Sequence, residues 1–182
     1  ELLAKAQFRL KFEELFFVQL RLISQNLQRK QKIKGMPFEA VGEKFTEFFE
    51  NHLPFDLTKA QKRVIKEIRN DLGSNAQMNR LLQGDVGSGK TVVAAMSMYI
   101  SAKNNSQSVL LCPTEVLAEQ HFKNFSVWFK NLNIKIELLT GKMPVSKRRG
   151  IYQDLENGEI DILIGTHAVF QEKVKMKNLG LV

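Results

Sequence analysis

The segment Gly84-Asp85-Val86-Gly87-Ser88-Gly89-Lys90-Thr91 packs three glycines, a lysine and a threonine between apolar Leu81-Leu82 and the run Val92-Val93-Ala94-Ala95-Met96. Without Cβ atoms at Gly84, Gly87 and Gly89, the backbone is free to take up positive φ and wrap closely around an anion. Amides turned inward at a helix N-terminus form a nest in which unpaired N–H groups and the helix dipole favour phosphate. Lys90 is placed to reach β- and γ-phosphates and the Thr91 hydroxyl to coordinate Mg²⁺, so the stretch reads as a phosphate-binding loop. An opposite charge near 4 Å at an effective dielectric constant of 20 is worth about 4 kcal/mol. A helix terminus gives about 0.3–1 kcal/mol, so Lys90 carries the larger share. The competing reading is a plain glycine turn with Lys90 in solvent.

Three further clusters carry polar groups suited to ligands. Upstream lies Leu53-Pro54-Phe55-Asp56-Leu57-Thr58-Lys59-Ala60-Gln61. The Gln61 amide donates and accepts at once, which suits the edge of a purine base. Thr58 followed by Gln61 also reads as a capping box opening a helix, and both roles are compatible. Pro113-Thr114-Glu115 with Leu117–His121, and Gly165-Thr166-His167, each follow a strand-like run. Hydroxyls and helix-start amides at the carboxyl ends of parallel strands suit the phosphates of a nucleic-acid backbone; each cluster taken singly also reads as a helix N-cap.

The elements that must position these groups follow from periodicity. Residues 1 to about 34 read as one helix, with Phe8, Phe12, Leu15, Phe16, Leu20, Ile23 and Leu27 at three- and four-residue steps, ended by Gly35 and Pro37. Such a stripe must pack on the following domain or on another one. A short helix is expected over 38–49, with Phe38, Val41, Phe45 and Phe48 on one side, ended by His52-Leu53-Pro54. From Leu57 the pattern alternates between helices and short apolar strands. Helices are expected over 58–72, from the phosphate loop to about 102, over 116–129 and 147–157. Strands are expected at 80–83, 109–112, 134–139 and 161–164, with Leu179–Val182 opening a fifth. Strands separated by helices imply a parallel sheet covered on both faces, an α/β mononucleotide-binding fold.

Bulk properties set limits. The 182 residues suffice for one domain plus an appendage, and the net charge of +8 favours an acidic partner, of which nucleic acid is the commonest. Basic clusters stand at Arg29–Lys32, Lys147-Arg148-Arg149 and Lys173–Lys177. The lone Cys112 forms no disulfide within the chain and reads as a buried core residue. No signal peptide is evident and no apolar run reaches the ~20 residues of a bilayer span, so a cytoplasmic protein is expected. His52, His121 and His167 have no zinc-ligand spacing. Trp128, with Phe122, Phe125 and Phe129, reads as core.

Taken together, the clusters resemble the first motor lobe of superfamily 2 helicases, and within them the RecG family of branch-migrating DNA helicases. The resemblance rests on Leu53-Pro54-Phe55 with Leu57-Thr58 and Ala60-Gln61, on Met78–Ala95 around the loop, and on Pro113–His121. Leu138–Gly141, Gly158–Asp161, Gly165–Ala168 and Lys177–Leu181 continue it in order. It implies a RecA-like lobe over 53–182, preceded by a helical linker over 1–52, in an ATP-dependent enzyme of DNA repair and recombination acting on forks and Holliday junctions. It further implies that ATP and Mg²⁺ bind at Phe55, Gln61, Gly84, Asp85, Val86, Gly87, Ser88, Gly89, Lys90 and Thr91, with Gln61 on adenine and Thr91 on the metal. Thr114, Glu115, Thr140, Gly141, Thr166 and His167 would lie along the DNA. The related transcription-repair coupling translocases tend to carry Tyr at the place of Ser88 and Thr at that of Glu115, which favours RecG. A P-loop kinase, or a nucleotide- and DNA-binding module without catalysis, is the alternative of another class.

The family's acidic Asp-Glu pair falls just beyond Leu181-Val182. Its second motor lobe with an arginine finger, and its DNA-gripping wedge domain, are also outside this sequence. Phosphoryl transfer depends on positioned metal, oriented water and charge-stabilising arginine. The 182-residue chain is therefore expected to bind Mg-nucleotide weakly without turning it over.

Overall fold

A computed structural model describes residues 2–39, 53 and 55–182 of the chain. The helix expected over 38–49 lies outside the described residues except for Phe38 and Glu39, as does His52. Helix α1 (Leu2–Lys32) leads in; its 31 residues span about 46 Å. None of its residues is buried, and Phe8, Phe12, Leu15, Phe16, Leu20, Ile23 and Leu27 are all exposed. Of the two partners expected for this stripe, the following domain does not cover it among the described residues. Beyond α1 the chain is tied to the body at Gly35, whose amide donates to the Asn75 carbonyl at 2.8 Å. A β-carbon on Gly35 would come within 2.7 Å of the Ala76 carbonyl oxygen, so only glycine permits this approach.

Helix α2 (Lys59–Leu72) starts on a complete capping box, Thr58 accepting from the Gln61 amide and Gln61 accepting from the Thr58 amide. It stops at Gly73. Helix α3 (Lys90–Lys103) opens directly from the glycine loop. Then come β1 (Gln107–Leu111), α4 (Glu115–Trp128), β2 (Ile136–Leu139), α5 (Val145–Asn157), β3 (Ile162–Gly165), a 3-10 turn (His167–Phe170) and β4 (Leu179–Leu181). Gly158, at φ +80°, ends α5 in the left-handed conformation that glycine adopts without strain.

The four strands form a parallel sheet in the order β2-β3-β1-β4, with Leu111 opposite Gly165 and Leu139 opposite Gly165 on its other side. Alternation along β3 sends Ile162 and Ile164 into one core with α2, α3 and α4, and Leu163 into a second core with Ile151 and Leu155 of α5. Helices thus cover both faces, as an all-parallel sheet requires. Leu163 and Leu155 are fully buried; truncating either to alanine is expected to cost about 2–5 kcal/mol.

One strand differs from expectation. Residues 80–83 form no strand among the described residues. The apolar pair Leu81-Leu82 signals a strand locally, but a strand exists only through a ladder with a neighbour at about 4.8 Å. Here Arg80 is pinned sideways to Glu67 and Asp71 of α2, at 2.7 Å to each. A groove of about 560 Å³, lined by Gln77–Arg80 and Leu179–Val182 among others, separates this segment from the sheet edge at β4. Strand β1 also begins two residues early. Buried Gln107 donates from Nε2 to the Leu155 and Ile160 carbonyls (3.1 and 2.8 Å) and accepts from the Asn178 amide, clamping the amino end of the sheet. No helix among the described residues is long and apolar enough to cross a membrane.

Candidate functional site

Helix α3 ends three residues before β1 begins, so its N-terminus, about 21 Å away along its 14 residues, faces the carboxyl edge of the sheet. The glycine loop sits at that end. Gly87 and Gly89 take up φ of +81° and +79°. Gly89 is the N-cap of α3 and supplies no side-chain acceptor, so the helix's first amides are left for another partner. The Lys90 ammonium folds back onto the carbonyls of Gly84 and Asp85, at 2.7 and 2.8 Å. Ser88 donates its amide to the Asp85 carbonyl at 3.2 Å, closing the loop. Val86 stands fully in solvent, which leaves the backbone rather than the side chain to form the cradle. Thr91 is partly buried one residue into the helix. A glycine-lined cradle with free helix amides, one ammonium and one hydroxyl fits a nucleoside triphosphate with Mg²⁺.

Gln61 is brought to this loop. Its Nε2 donates to the Ser88 carbonyl at 3.0 Å while its Oε1 accepts from the Thr58 amide at 2.8 Å. Phe55, half-exposed, meets Trp128 of α4 edge-on, with ring centroids 6.2 Å apart. Trp128 in turn lies against buried Phe125 at 5.7 Å, so the aromatic group on α4 is core, as its spacing suggests.

The other predicted residues gather at the carboxyl ends of β1, β2 and β3. Thr114 is the N-cap of α4 and its hydroxyl accepts from the Leu117 amide at 3.3 Å. Thr140 is buried and Gly141 exposed at the end of β2; the Thr166 amide donates to the Leu139 carbonyl beside them at 3.4 Å. The Thr166 hydroxyl is buried without a hydrogen-bond partner. His167 is exposed at the start of the 3-10 turn. His121, by contrast, tilts against Phe125, and burial pushes its pKa down, which keeps the ring neutral.

Two neighbours of these residues escape a reading of local sequence. Lys142 approaches Glu115 to 3.0 Å. The ammonium, followed by burial working the other way, leaves the Glu115 carboxyl below its ordinary range, with the nearby amides of Lys142 and Gly141 adding to the lowering. Arg148 donates to the carbonyls of Met143 (2.9 Å) and Gly141 (3.3 Å), fixing the turn after β2. Arg148 belongs to the basic cluster Lys147-Arg148-Arg149, but sequence does not show which cation folds back, and Lys142 stands outside that cluster. Lys177, from another basic cluster, is spent on α5: its amide donates to Leu155 and its ammonium to Asn157.

Residues 58–182 match the profile described as DEAD/DEAH box helicase. The chain belongs to this helicase family. Among curated helicase relatives, proteins named ATP-dependent DNA helicase RecG are similar along nearly the whole chain. The protein of Synechocystis sp. is 45% identical over 100% of this chain and 22% of its own length. That of Thermotoga maritima is 47% identical over 99% and 23%, and that of Bacillus subtilis 41% identical over 100% and 26%. The chain thus spans about a quarter or less of these helicases. A solved structure described as RecG bound to a three-way DNA junction superposes with a TM-score of 0.86 at 46% identity, covering 98% of this chain and 24% of that one. A hypothetical ATP-dependent RNA helicase from Sulfolobus tokodaii, 20% identical with a TM-score of 0.50, shares the fold over 69% of this chain and 34% of its own.

Proposed function

We propose that this chain is the ATP-binding lobe of a RecG-like DNA helicase, with residues 53–182 forming the lobe and residues 1–52 a helical lead-in. The observation that carries this reading is the placement of two kinds of anion-receiving groups on one edge of one sheet. The cradle of Gly84–Thr91 opens there, and so do the loops bearing Thr114, Glu115, Thr140, Gly141, Thr166 and His167.

In this reading Lys90 leaves the Gly84 and Asp85 carbonyls to meet the β- and γ-phosphates, and Thr91 holds Mg²⁺. Gln61 and Phe55 orient the adenine end. Bound Mg-ATP supplies the phosphoryl bond whose cleavage drives movement along DNA. The strand-end loops hold backbone phosphates without reading bases, as suits a translocating enzyme. Branched DNA, such as forks and Holliday junctions, is the substrate of the whole protein, which works in the cytoplasm and completes the site with a second lobe and a wedge domain.

Binding of the 182-residue chain to a three-way junction, measured against salt, tests the reading. Several phosphate contacts predict a linear fall of log affinity with log salt, at about −0.9 per contact on duplex DNA. Salt-independent or absent binding at low salt contradicts it. Because the chain holds no Asp-Glu pair, nucleotide binding without steady hydrolysis is expected; hydrolysis that disappears in Lys90→Ala contradicts that part.

A further inference from the structure

Helix α1 changes character along its length. Its first half carries charges of both signs, as a solvated helix does, with Arg9 bound to Glu13 one turn away at 2.8 Å. From Leu15 to Phe38 the chain holds Arg21, Arg29, Lys30, Lys32 and Lys34 and no aspartate or glutamate. Arg21, Gln25, Gln28 and Lys32 follow at four-, three- and four-residue steps, so they share one face, and all four are exposed. At about 100° per residue this face lies opposite Phe12, Phe16, Ile23 and Leu27. Among the described residues no carboxylate pairs with Arg21, Lys32 or Lys34. The helix dipole accounts for cations in the last turn, but not for Arg21 three turns earlier, nor for Lys34 beyond the helix. Unpaired charges of one sign repel one another, and an anion laid along them removes that cost.

We propose that the face formed by Arg21, Gln25, Gln28 and Lys32 is a docking rail for the phosphate backbone of duplex DNA, separate from the strand-end loops. This rests on the reading of the chain as a lobe of a DNA helicase. Cations with side-chain amides between them are donors of the kind that hold backbone phosphates. Arg21 and Lys32 are 11 residues apart, or about 16 Å along the axis. Each strand of a duplex offers a phosphate about every 3.4 Å of rise, so the two ends of the rail reach different phosphates. Where α1 joins the body sets the place of the rail. Gly35 is held to Asn75, and a β-carbon on Gly180 of β4 would come within 2.7 Å of both Phe38 and Ser106, the residue before β1. That is the amino end of the sheet, whereas Thr114, Thr140 and Thr166 stand at the carboxyl ends of the strands. DNA on the rail is thus a second contact, and the apolar stripe on the far side of α1 remains for protein.

Arg21→Gln/Lys32→Gln discards both cations and keeps residues of near-equal helix propensity, so the circular dichroism of the 182-residue chain should not change. Its binding to a three-way DNA junction with duplex arms is measured by fluorescence anisotropy against salt, beside the parent. The control is Lys123→Gln/Lys130→Gln, which removes the same charge from two exposed positions on and just past α4. Two lost phosphate contacts are expected to flatten the slope of log affinity against log salt by about 1.8 in the rail variant, with the control within about 0.5 of the parent. Mg-ATP affinity should stay within about twofold throughout. A rail variant with the parent's slope overturns the proposal and assigns the face to solvent or to an acidic protein. Equal flattening in the control overturns it as well, because charge anywhere on the chain would then suffice. A parent without salt-dependent junction binding overturns the reading of the chain as a DNA helicase lobe, and the rail with it.

Discussion

Gln61 and Ser88, 27 residues apart, are joined by a hydrogen bond of 3.0 Å from the Gln61 Nε2 to the Ser88 carbonyl. The same carboxamide closes the capping box of α2 through its oxygen. One side chain thus couples the start of a helix to the glycine loop, and the two halves of its amide do separable work. A glutamate in its place would still accept from Thr58 but has no proton for Ser88. Gln61→Glu is therefore expected to leave the melting temperature within about 2 °C of the parent while lowering Mg-nucleotide affinity about tenfold, the equivalent of a lost charge-sensitive contact. Calorimetry and thermal melts on the same preparation separate the two effects.

Gly89 answers to the same neighbour. A β-carbon there would collide with the Gln61 Nε2, in a backbone held at φ +79°. Gly89→Ala combines that collision with a left-handed conformation costing about 1–2 kcal/mol for other residues. Loss of nucleotide binding with a folded sheet is expected, read by circular dichroism alongside titration. Gly87→Ala meets no atom within 4 Å and is expected to show the conformational cost alone, so its affinity should fall between those of the parent and Gly89→Ala.

Arg148 is expected to matter for DNA and not for nucleotide. Its Nε and Nη2 hold two carbonyls of the turn after β2, which a single ammonium does not reproduce. Arg148→Ala and Arg148→Lys should both weaken junction binding about three- to ten-fold, and ATP affinity should stay within twofold. An ATP defect of the same size would assign Arg148 to the general fold.

Asp161 offers a pH signature at the opposite end of the sheet. Burial raises its pKa above 3.8, against the Lys135 amide hydrogen bond and the charges of Lys103 and Lys135. A carboxyl whose folded pKa is raised makes the folded state bind protons more readily, so its contribution to stability falls as pH rises from the unfolded to the folded value. Asp161→Asn keeps an acceptor for the Lys135 amide and discards the charge. It should melt about 1–3 °C above the parent at pH 7, the gain reduced by solvent screening, and converge with it as pH falls toward 4.

Much of this was legible locally. Thr58 with Gln61, Gly73 after Leu72 and Gly158 after Asn157 are chain-local signals, and each marks a helix boundary where expected. The glycine loop Gly84–Thr91 was legible for the same reason, since eight consecutive residues hold its glycines and its lysine. What sequence did not reveal depends on partners distant in the chain. The Arg80–Gln83 run has strand-like residues but no ladder. Gln107, polar and outside the apolar run, starts β1 because Leu155, Ile160 and Asn178 satisfy its amide. Glu115 met Lys142, and Phe55 met Trp128, only once the sheet had brought their loops together. The apolar stripe of α1 was read correctly as a helix, but no periodicity says what covers it.

Gly84–Thr91 is proposed to receive the phosphates of a nucleotide through Lys90. Titration of the chain and of Lys90→Ala with Mg-ATP tests it most directly. The ammonium already sits at the mouth of the cradle on the Gly84 and Asp85 carbonyls, and removing it should lower affinity by about a hundredfold or more. Junction binding should remain in both proteins. Equal Mg-ATP affinity in the two would contradict the account.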